Sequence, residues 1–131
     1  MIDGLQSIRG GEDGSVAEIS EILRSLAHEL EVPIVATSQV RPAVDLREDK
    51  RPYFEDWADP HSLFDCADSV VFIYRDDFYH KVYSECLASA EIVFRQQRNG
   101  ATGSTRLIFL EDYARFDDWE PELYSSDEYP I

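Results

Sequence analysis

Residues 15–39 read SVAEISEILRSLAHELEVPIVATSQ, and this stretch decides the fold. Ser15 followed by Glu18 has the spacing of a capping box, which predicts a helix that begins at the serine. Apolar side chains then recur every three or four residues, which predicts one apolar face packed against a core. The members of this face are Val16, Ile19, Ile22, Leu23, Leu26, Ala27 and Leu30. Pro33 ends the pattern, and the apolar run 34–37 predicts a parallel strand buried on both faces.

Strand patterns also lie before and after this helix and strand. Residues 1–3 are typical of the end of a strand that begins outside this sequence, and residues 69–74 predict a second buried strand. Residues 90–97 and 104–110 alternate apolar and polar side chains around a turn at 99–103, which predicts an antiparallel hairpin. The order of these elements predicts an α/β domain with a mixed sheet, in which parallel strands come first and the antiparallel hairpin last.

The remaining segments are predicted to be loops, one short helix and a tail. Residues 41–58 and 75–89 are rich in charged and aromatic side chains and predict loops, while Asp59-Pro60 predicts the start of a short helix. Residues 117–131 hold six acids and neither Lys nor Arg. We expect these residues to form a disordered acidic tail, or a partner-docking segment because aromatic side chains alternate with the acids. The domain is therefore predicted to span residues 1–116.

Composition and charge exclude several classes of function. The chain of 131 residues holds 27 acids against 12 Lys and Arg, a net charge of −15, and such a surface repels phosphate unless its cations are concentrated. No apolar run approaches the roughly 20 residues that span a bilayer, and no signal peptide is visible. Two cysteines without metal-ligand spacing, and three histidines without a triad or metal pattern, predict no zinc site and a reducing compartment. We therefore expect a cytoplasmic protein with no membrane partner.

Candidate functional residues lie where the predicted strands end, because ligands bind beyond the carboxyl ends of strands in open α/β sheets. Asp3 ends the first strand and can hold the water shell of Mg²⁺, although such an aspartate is as often a turn former or a helix cap. Gln39 follows the second strand and can sense a phosphate or serve only as a loop residue. Arg95 and Arg98 lie near the hairpin tip and could reach a neighbouring molecule's phosphate, although a surface arginine pair is ordinarily solvated.

These segments, in this order, resemble the C-terminal motor domain of DnaB-type replicative helicases, which are RecA-like ATPases. The resemblance rests on IDGLQ at 2–6, the helix and strand at 17–39, DKRP at 49–52, ADSVVFIYRD at 67–76 and QRNGATG at 97–103. It covers residues 1–116 and implies a partial RecA-like P-loop NTPase fold.

The resemblance also implies a function and roles for the candidate residues. It implies a ring of six subunits that hydrolyses ATP with Mg²⁺ at subunit interfaces and moves along single-stranded DNA as it unwinds the duplex. Asp3 would organise Mg²⁺, Gln39 would sense the γ-phosphate, and Arg98 would act as an arginine finger on the neighbouring subunit's nucleotide. Arg95 and Gln97 would be further nucleotide contacts.

The sequence departs from the family in three places. No GxxxxGK[ST] P-loop is present, and the catalytic glutamate is also missing, so we expect the chain alone neither to bind ATP tightly nor to hydrolyse it. Gln96 stands where the family has a basic residue before the finger. The family's DNA-contacting loop, DLRESGS, aligns with residues 56–62, where Ala58 replaces Arg and His61 replaces Gly. The loss of a cation and of a flexible backbone predicts a weakened grip on DNA.

Two functions from different classes are consistent with this sequence. The first is the C-terminal part of a replicative-helicase motor domain, separated from a P-loop half that would be its partner. The second is a stand-alone, catalytically inactive helicase-like protein that docks on a replication complex and regulates it, which the acidic surface and the altered loop favour. An acidic protein that mimics DNA is a third alternative.

Overall fold

The computed structural model describes residues 1–8, 15–57, 60–79 and 88–120, and the chain divides into two compact units, Met1–Val70 and Val71–Ile131. The helices are α1 (Val16–Leu30), α2 (Pro60–Cys66) and α3 (Asp76–Tyr79), and the strands are β1 (Ser69–Arg75), β2 (Ser89–Gln97), β3 (Gly103–Leu110) and β4 (Arg115–Asp118). Short 3₁₀ turns cover Leu5–Ser7, Pro42–Leu46, Phe54–Asp56 and Glu111–Tyr113. None of the helices in the described ranges is long and apolar enough to span a bilayer.

Helix α1 begins at the residue that its sequence predicts. The Ser15 Oγ accepts a hydrogen bond from the Glu18 N–H at 3.2 Å, which satisfies one of the donors left open by the first turn. At the other end, Glu31 adopts a left-handed conformation with φ 52°. The Ala27 carbonyl accepts from the N–H groups of both Glu31 and Val32 and closes the helix.

The apolar face of α1 is only partly buried, so the prediction that all of it packs against a core is wrong. Ile19 is buried and Leu23 is half-buried, whereas Ile22 and Leu30 are each more than half exposed. The reason lies in the helical spacing: Ile22, Leu26 and Leu30 follow one another at intervals of four and form a separate row along the helix. This row faces away from the described part of the first unit.

The predicted parallel pairing is present in the first unit as a single bridge between Ile2 and Ala36. The Ile2 N–H donates to the Val35 carbonyl at 2.8 Å, and the Thr37 N–H donates to the Ile2 carbonyl at 3.0 Å. Helix α1 is the crossover that connects the two segments, as parallel pairing requires. The expected burial on both faces is wrong, since Val35 is 60% exposed. Among the described residues, the run 34–37 pairs with another segment on one side only.

The second unit is built on a sheet with the strand order β1-β2-β3-β4. Strands β2 and β3 pair antiparallel from Ser89 opposite Ile108 to Phe94 opposite Gly103, which confirms the predicted hairpin. Strand β4 pairs antiparallel with β3. The α/β class is confirmed, and in the described ranges parallel pairing is seen at the Ile2–Ala36 bridge of the first unit.

Strand β1 is buried on one face rather than two. Phe72 and Tyr74 are buried, whereas Val71 and Ile73 are exposed, so the side chains alternate along the strand. The continuous apolar run 69–74 predicted a strand buried on both faces. Instead, β1 lies at an edge of the sheet, and the described residues cover only one of its faces.

Strand β4 extends past the predicted end of the domain at residue 116. Asp117 lies opposite Ile108 and Asp118 lies opposite Leu107, so these two acids belong to the sheet rather than to a disordered tail. The Phe116 ring packs on the Phe109 ring with centroids 5.0 Å apart and anchors the strand, a tertiary contact that composition does not reveal. The rest of the predicted tail, from 121 onward, lies outside the described residues, as do residues 80–87 of the predicted loop and the predicted helix cap Asp59.

The left-handed residue at the end of α1 gives a test of this local structure. Glu31→Gly is expected to raise the free energy of unfolding by about 0.5–1 kcal/mol, because glycine adopts φ 52° without a Cβ clash. Glu31→Ala is the matched control, since it removes the same charge but retains the clash. Urea unfolding followed by circular dichroism measures both variants, and equal stabilities for the two would contradict this assignment of the helix end.

Candidate functional site

Asp3 lies at the end of the bridged segment and is held by a threonine of the neighbouring strand. The Thr37 hydroxyl donates to the Asp3 Oδ1 at 2.8 Å and accepts from the Gly4 N–H at 2.8 Å. The Leu5 N–H donates to the Thr37 carbonyl at 2.7 Å and continues the pairing. Gly4 has φ 84°, a backbone conformation that favours glycine.

The donor set around Asp3 fits Mg²⁺ only together with other ligands. Among the described residues, no group of three or more His, Cys, Asp or Glu side chains could hold a metal ion. One Asp3 oxygen already accepts from Thr37, so the carboxylate has its second oxygen left for a ligand. Mg²⁺ commonly retains several waters and is held by one or two carboxylates together with nucleotide phosphates. The arrangement is therefore compatible with a magnesium ion brought by a nucleotide.

Gln39 lies two residues beyond Thr37 on the same chain segment. Its side chain is exposed, as are those of Asp3 and Thr37. The parallel bridge thus brings Asp3 beside the segment that leads into Gln39, which is the relation that the sequence predicts for two strand ends at one edge.

The three hairpin residues Arg95, Gln97 and Arg98 lie at the end of β2 and in its turn, within the second unit. All three are exposed, and the Gly100 N–H donates to the Gln97 carbonyl at 3.4 Å as the chain reverses. Successive side chains of a strand point to opposite faces, so Arg95 and Gln97 share a face and Gln96 lies on the other. Arg95 therefore does not substitute for the basic residue that the family has at position 96.

An ion pair with a buried carboxylate organises the loop that follows Gln39. The Arg47 guanidinium donates to both oxygens of the Asp56 carboxylate, at 2.9 and 2.8 Å, and Asp56 is 7% exposed. The Tyr53 N–H donates to the same carboxylate at 2.6 Å, and the Arg41 N–H donates to the Asp56 carbonyl at 2.7 Å. The hydrogen bond with Asp56 raises the pKa of Arg47 above its usual value. The first residue of the segment aligned with the DNA-contacting loop thus stabilises the fold.

Aromatic contacts fix the same region to helix α2. The Phe64 ring of α2 packs edge-on against Phe54 and Trp57, with centroid distances of 4.1 and 5.7 Å. Helix α2 is in turn tied to α1, because Arg24 donates to the Asp65 carbonyl at 3.0 Å. Trp57 is buried, so the second residue of the aligned segment is structural as well. The side chains at 58–62, including Ala58 and His61, lie outside the described residues.

The FIYRD motif, residues 72–76, stabilises the second unit through internal contacts and does not form an exposed site. Arg75 donates to the Asp77 carboxylate at 3.2 and 2.9 Å and lies 4.4 Å from the centroid of the Phe109 ring. The Tyr74 hydroxyl donates to the Asp76 carboxylate at 2.7 Å. The hydrogen bond with Asp77 raises the pKa of Arg75. These charge-assisted bonds give the motif a structural role.

The structure thus adds one functional candidate, Thr37, and one structural ion pair that the sequence did not predict. Thr37 contacts Asp3, and the Arg47–Asp56 pair shapes the loop. The sequence carries a faint signal for Thr37, a hydroxyl residue inside an otherwise apolar strand run. Acidic and basic residues lie close together in the loop sequence that holds Arg47 and Asp56. The sequence alone therefore does not show which acid pairs with Arg47.

The α/β class, with a parallel bridge in the first unit and an antiparallel hairpin in the second, is that of DnaB-like RecA-fold domains, and comparison with solved structures agrees. The chain matches the structure reported as a DnaB-like replicative helicase and its interactions with primase, with a TM-score of 0.83, 35% identity, and coverage of 91% of this chain and 30% of that one. It also matches a second solved structure, reported as an ATPase domain, with a TM-score of 0.78, 33% identity, and coverage of 86% and 41%.

Residues 1–118 match the family described as DnaB-like helicase C terminal domain, and the chain belongs to this family. It is 40% identical to the replicative DNA helicase DnaB of Buchnera aphidicola subsp. Baizongia pistaciae over 132 residues, which cover 97% of this chain and 28% of the relative. It is 43% identical to DnaB of Geobacillus stearothermophilus over 122 residues, covering 88% and 27%. The chain thus spans little more than a quarter of the length of these relatives.

The buried Asp56 carboxylate, which pairs with Arg47, gives a test of how the loop after Gln39 is stabilised. Asp56→Asn is expected to lower the free energy of unfolding by about 2–3 kcal/mol, because it removes a charge-assisted pair and leaves the Arg47 guanidinium without its counterion. Asp49→Asn, at an exposed position of the same loop, is the matched control and is expected to cost less than about 1 kcal/mol. Thermal unfolding, with Trp57 fluorescence recorded in a Trp119→Phe background, measures both. A loss no larger for Asp56→Asn than for the control would contradict the assignment.

Proposed function

We propose that this chain is the C-terminal portion of a replicative DNA helicase motor domain that couples ATP hydrolysis at subunit interfaces to the unwinding of duplex DNA. The observation that carries the proposal is the parallel bridge between Ile2 and Ala36, because it brings the acid Asp3 beside the segment leading to Gln39 within a domain of this family. Its proposed partners are other helicase subunits, a P-loop-bearing segment and single-stranded DNA.

In this proposal Asp3 binds the water shell of a magnesium ion that arrives with ATP. When bound, the ion neutralises negative charge on the phosphates during transfer. The Asp3 carboxylate orients a water through the oxygen that Thr37 does not engage. Gln39 offers an amide that can donate to a phosphate oxygen and accept from water.

Arg98 is proposed to act on the nucleotide of a neighbouring subunit. Arg98 lies in the turn between β2 and β3, beyond the last register pair of that hairpin. Its exposed guanidinium is a planar cation. Arg95 and Gln97, which share a face of β2, are proposed as accessory contacts to the same phosphates. A finger of this kind is commonly worth about 10³–10⁵ in the rate of phosphoryl transfer.

Exposed apolar surface supports the need for a complementary segment. Ile22, Leu26 and Leu30 form an exposed row on α1, and Val71 and Ile73 form an exposed face on β1. Apolar patches of this kind mark surfaces that a partner covers. A P-loop-bearing segment would also supply the phosphate-binding backbone amides and lysine that this sequence lacks.

The isolated chain is expected to show no ATP turnover above background, because it has no P-loop to bind the phosphates. Release of inorganic phosphate from ATP in the presence of Mg²⁺ measures this directly. Hydrolysis by the pure chain that disappears in an Asp3→Ala variant would overturn the proposal that a second segment is needed.

Mixing the chain with the P-loop-bearing segment of the Geobacillus stearothermophilus relative is expected to restore hydrolysis that depends on Arg98. Arg98→Ala should reduce the rate by about 10³-fold or more, since no other group replaces a positioned guanidinium. Arg106→Ala removes another exposed arginine of the same hairpin and serves as the matched control. Equal rates for the two variants would remove the finger assignment.

A second candidate function is regulation by a catalytically inactive helicase-like protein that docks on a replication complex. The net charge of −15 and the loss of basic residues at Ala58 and Gln96 favour it. In that case the chain inhibits or stimulates the ATPase of an intact relative when added in excess, and no mixture with a P-loop-bearing segment hydrolyses ATP.

A further inference from the structure

We infer that Thr37 is a positioning residue that fixes the carboxylate of Asp3 in one orientation. Two hydrogen bonds carry this inference: the Thr37 hydroxyl donates to the Asp3 Oδ1 and accepts from the Gly4 N–H, both at 2.8 Å. The inference deepens the function proposed above, since it rests on Asp3 being the magnesium acid. It assigns the control of that acid to a side chain of the neighbouring strand.

The direction of these two bonds is settled by the chemistry of the groups. A backbone N–H can only donate, so the Gly4 N–H uses a lone pair of the Thr37 oxygen. The hydroxyl proton then goes to the carboxylate, which only accepts when ionised. Thr37 therefore engages Oδ1 of the Asp3 carboxylate, which leaves Oδ2 as the oxygen for a metal-bound water.

The hydroxyl is not needed to pair the two segments. Three backbone bonds do that work: Ile2 N–H to the Val35 carbonyl, Thr37 N–H to the Ile2 carbonyl and Leu5 N–H to the Thr37 carbonyl, at 2.7–3.0 Å. Valine has the same branched shape as threonine and an equal preference for extended backbone. Thr37→Val consequently removes the two side-chain bonds and leaves the backbone pairing in place.

The link also joins the acid to the segment that leads into Gln39. Gln39 follows Thr37 by two residues, while Asp3 lies 34 residues away in the sequence. The Asp3 carboxylate is thus oriented by the same segment that presents the proposed phosphate sensor. A shift of that segment changes the position of both groups together.

The experiment uses the full chain and two conservative variants, Thr37→Val and Thr37→Ser. Scalar couplings measured by NMR report the χ1 rotamers of Asp3, and amide exchange reports the Gly4 N–H. We expect one dominant Asp3 rotamer in the wild type, averaging over several in Thr37→Val, and recovery in Thr37→Ser. Exchange of the Gly4 amide should rise about two- to tenfold in Thr37→Val, as for one neutral hydrogen bond, while the Leu5 amide stays unchanged.

A single Asp3 rotamer and unchanged Gly4 exchange in Thr37→Val would overturn the inference. A rise in exchange at Leu5 equal to that at Gly4 would also overturn it, because the effect would then be loss of the backbone pairing. Titration with manganese chloride and ATP, in the presence of the P-loop-bearing segment, tests the underlying function separately. Paramagnetic broadening at Asp3 and Gly4 that Asp3→Asn abolishes supports the metal role, whereas its absence in the wild type counts against that role and leaves the rotamer result to decide the inference.

Discussion

The parallel bridge between Ile2 and Ala36 is the interaction on which the candidate site depends. Parallel neighbours cannot be joined by a tight turn, so the chain needs a crossover, and α1 provides it with a capped beginning and a left-handed end. Once the bridge forms, Asp3 and Thr37 come within hydrogen-bond distance although 34 residues separate them. Without it, the acid and the sensor segment would have no fixed relation. The chemistry proposed for the domain therefore begins with three backbone hydrogen bonds.

The loop after Gln39 is stabilised by a charged pair in addition to its two short 3₁₀ turns. Arg47 and Asp56 form a bidentate pair, and Tyr53 and Arg41 add backbone hydrogen bonds to Asp56. A buried carboxylate is tolerated because its oxygens are fully engaged. One of the 12 Lys and Arg side chains of this acidic chain, Arg47, is thus engaged in stabilising the loop. Asp56 and Trp57 thus both stabilise the fold of the first unit.

Apolar surface is left uncovered on both units. Ile22, Leu26 and Leu30 of α1, and Val71 and Ile73 of β1, are exposed to solvent. Burial of such side chains is worth roughly 25 cal/mol for each Å² removed from water, so a complementary segment would gain considerable free energy by covering them.

The local structure and the family could be predicted from the sequence itself. The burial of side chains and the contacts between distant residues were decided by the tertiary structure. Capping at Ser15, the hairpin turn and the family motifs depend on neighbouring residues or on short patterns, and these predictions are confirmed. Which face of α1 is covered, the extension of β4 through Asp118 and the partner of Asp3 depend on contacts between distant segments. A periodic pattern shows which side chains are apolar but does not show which residues pack against them. For that reason the residue that holds Asp3 is visible only once the chain has folded.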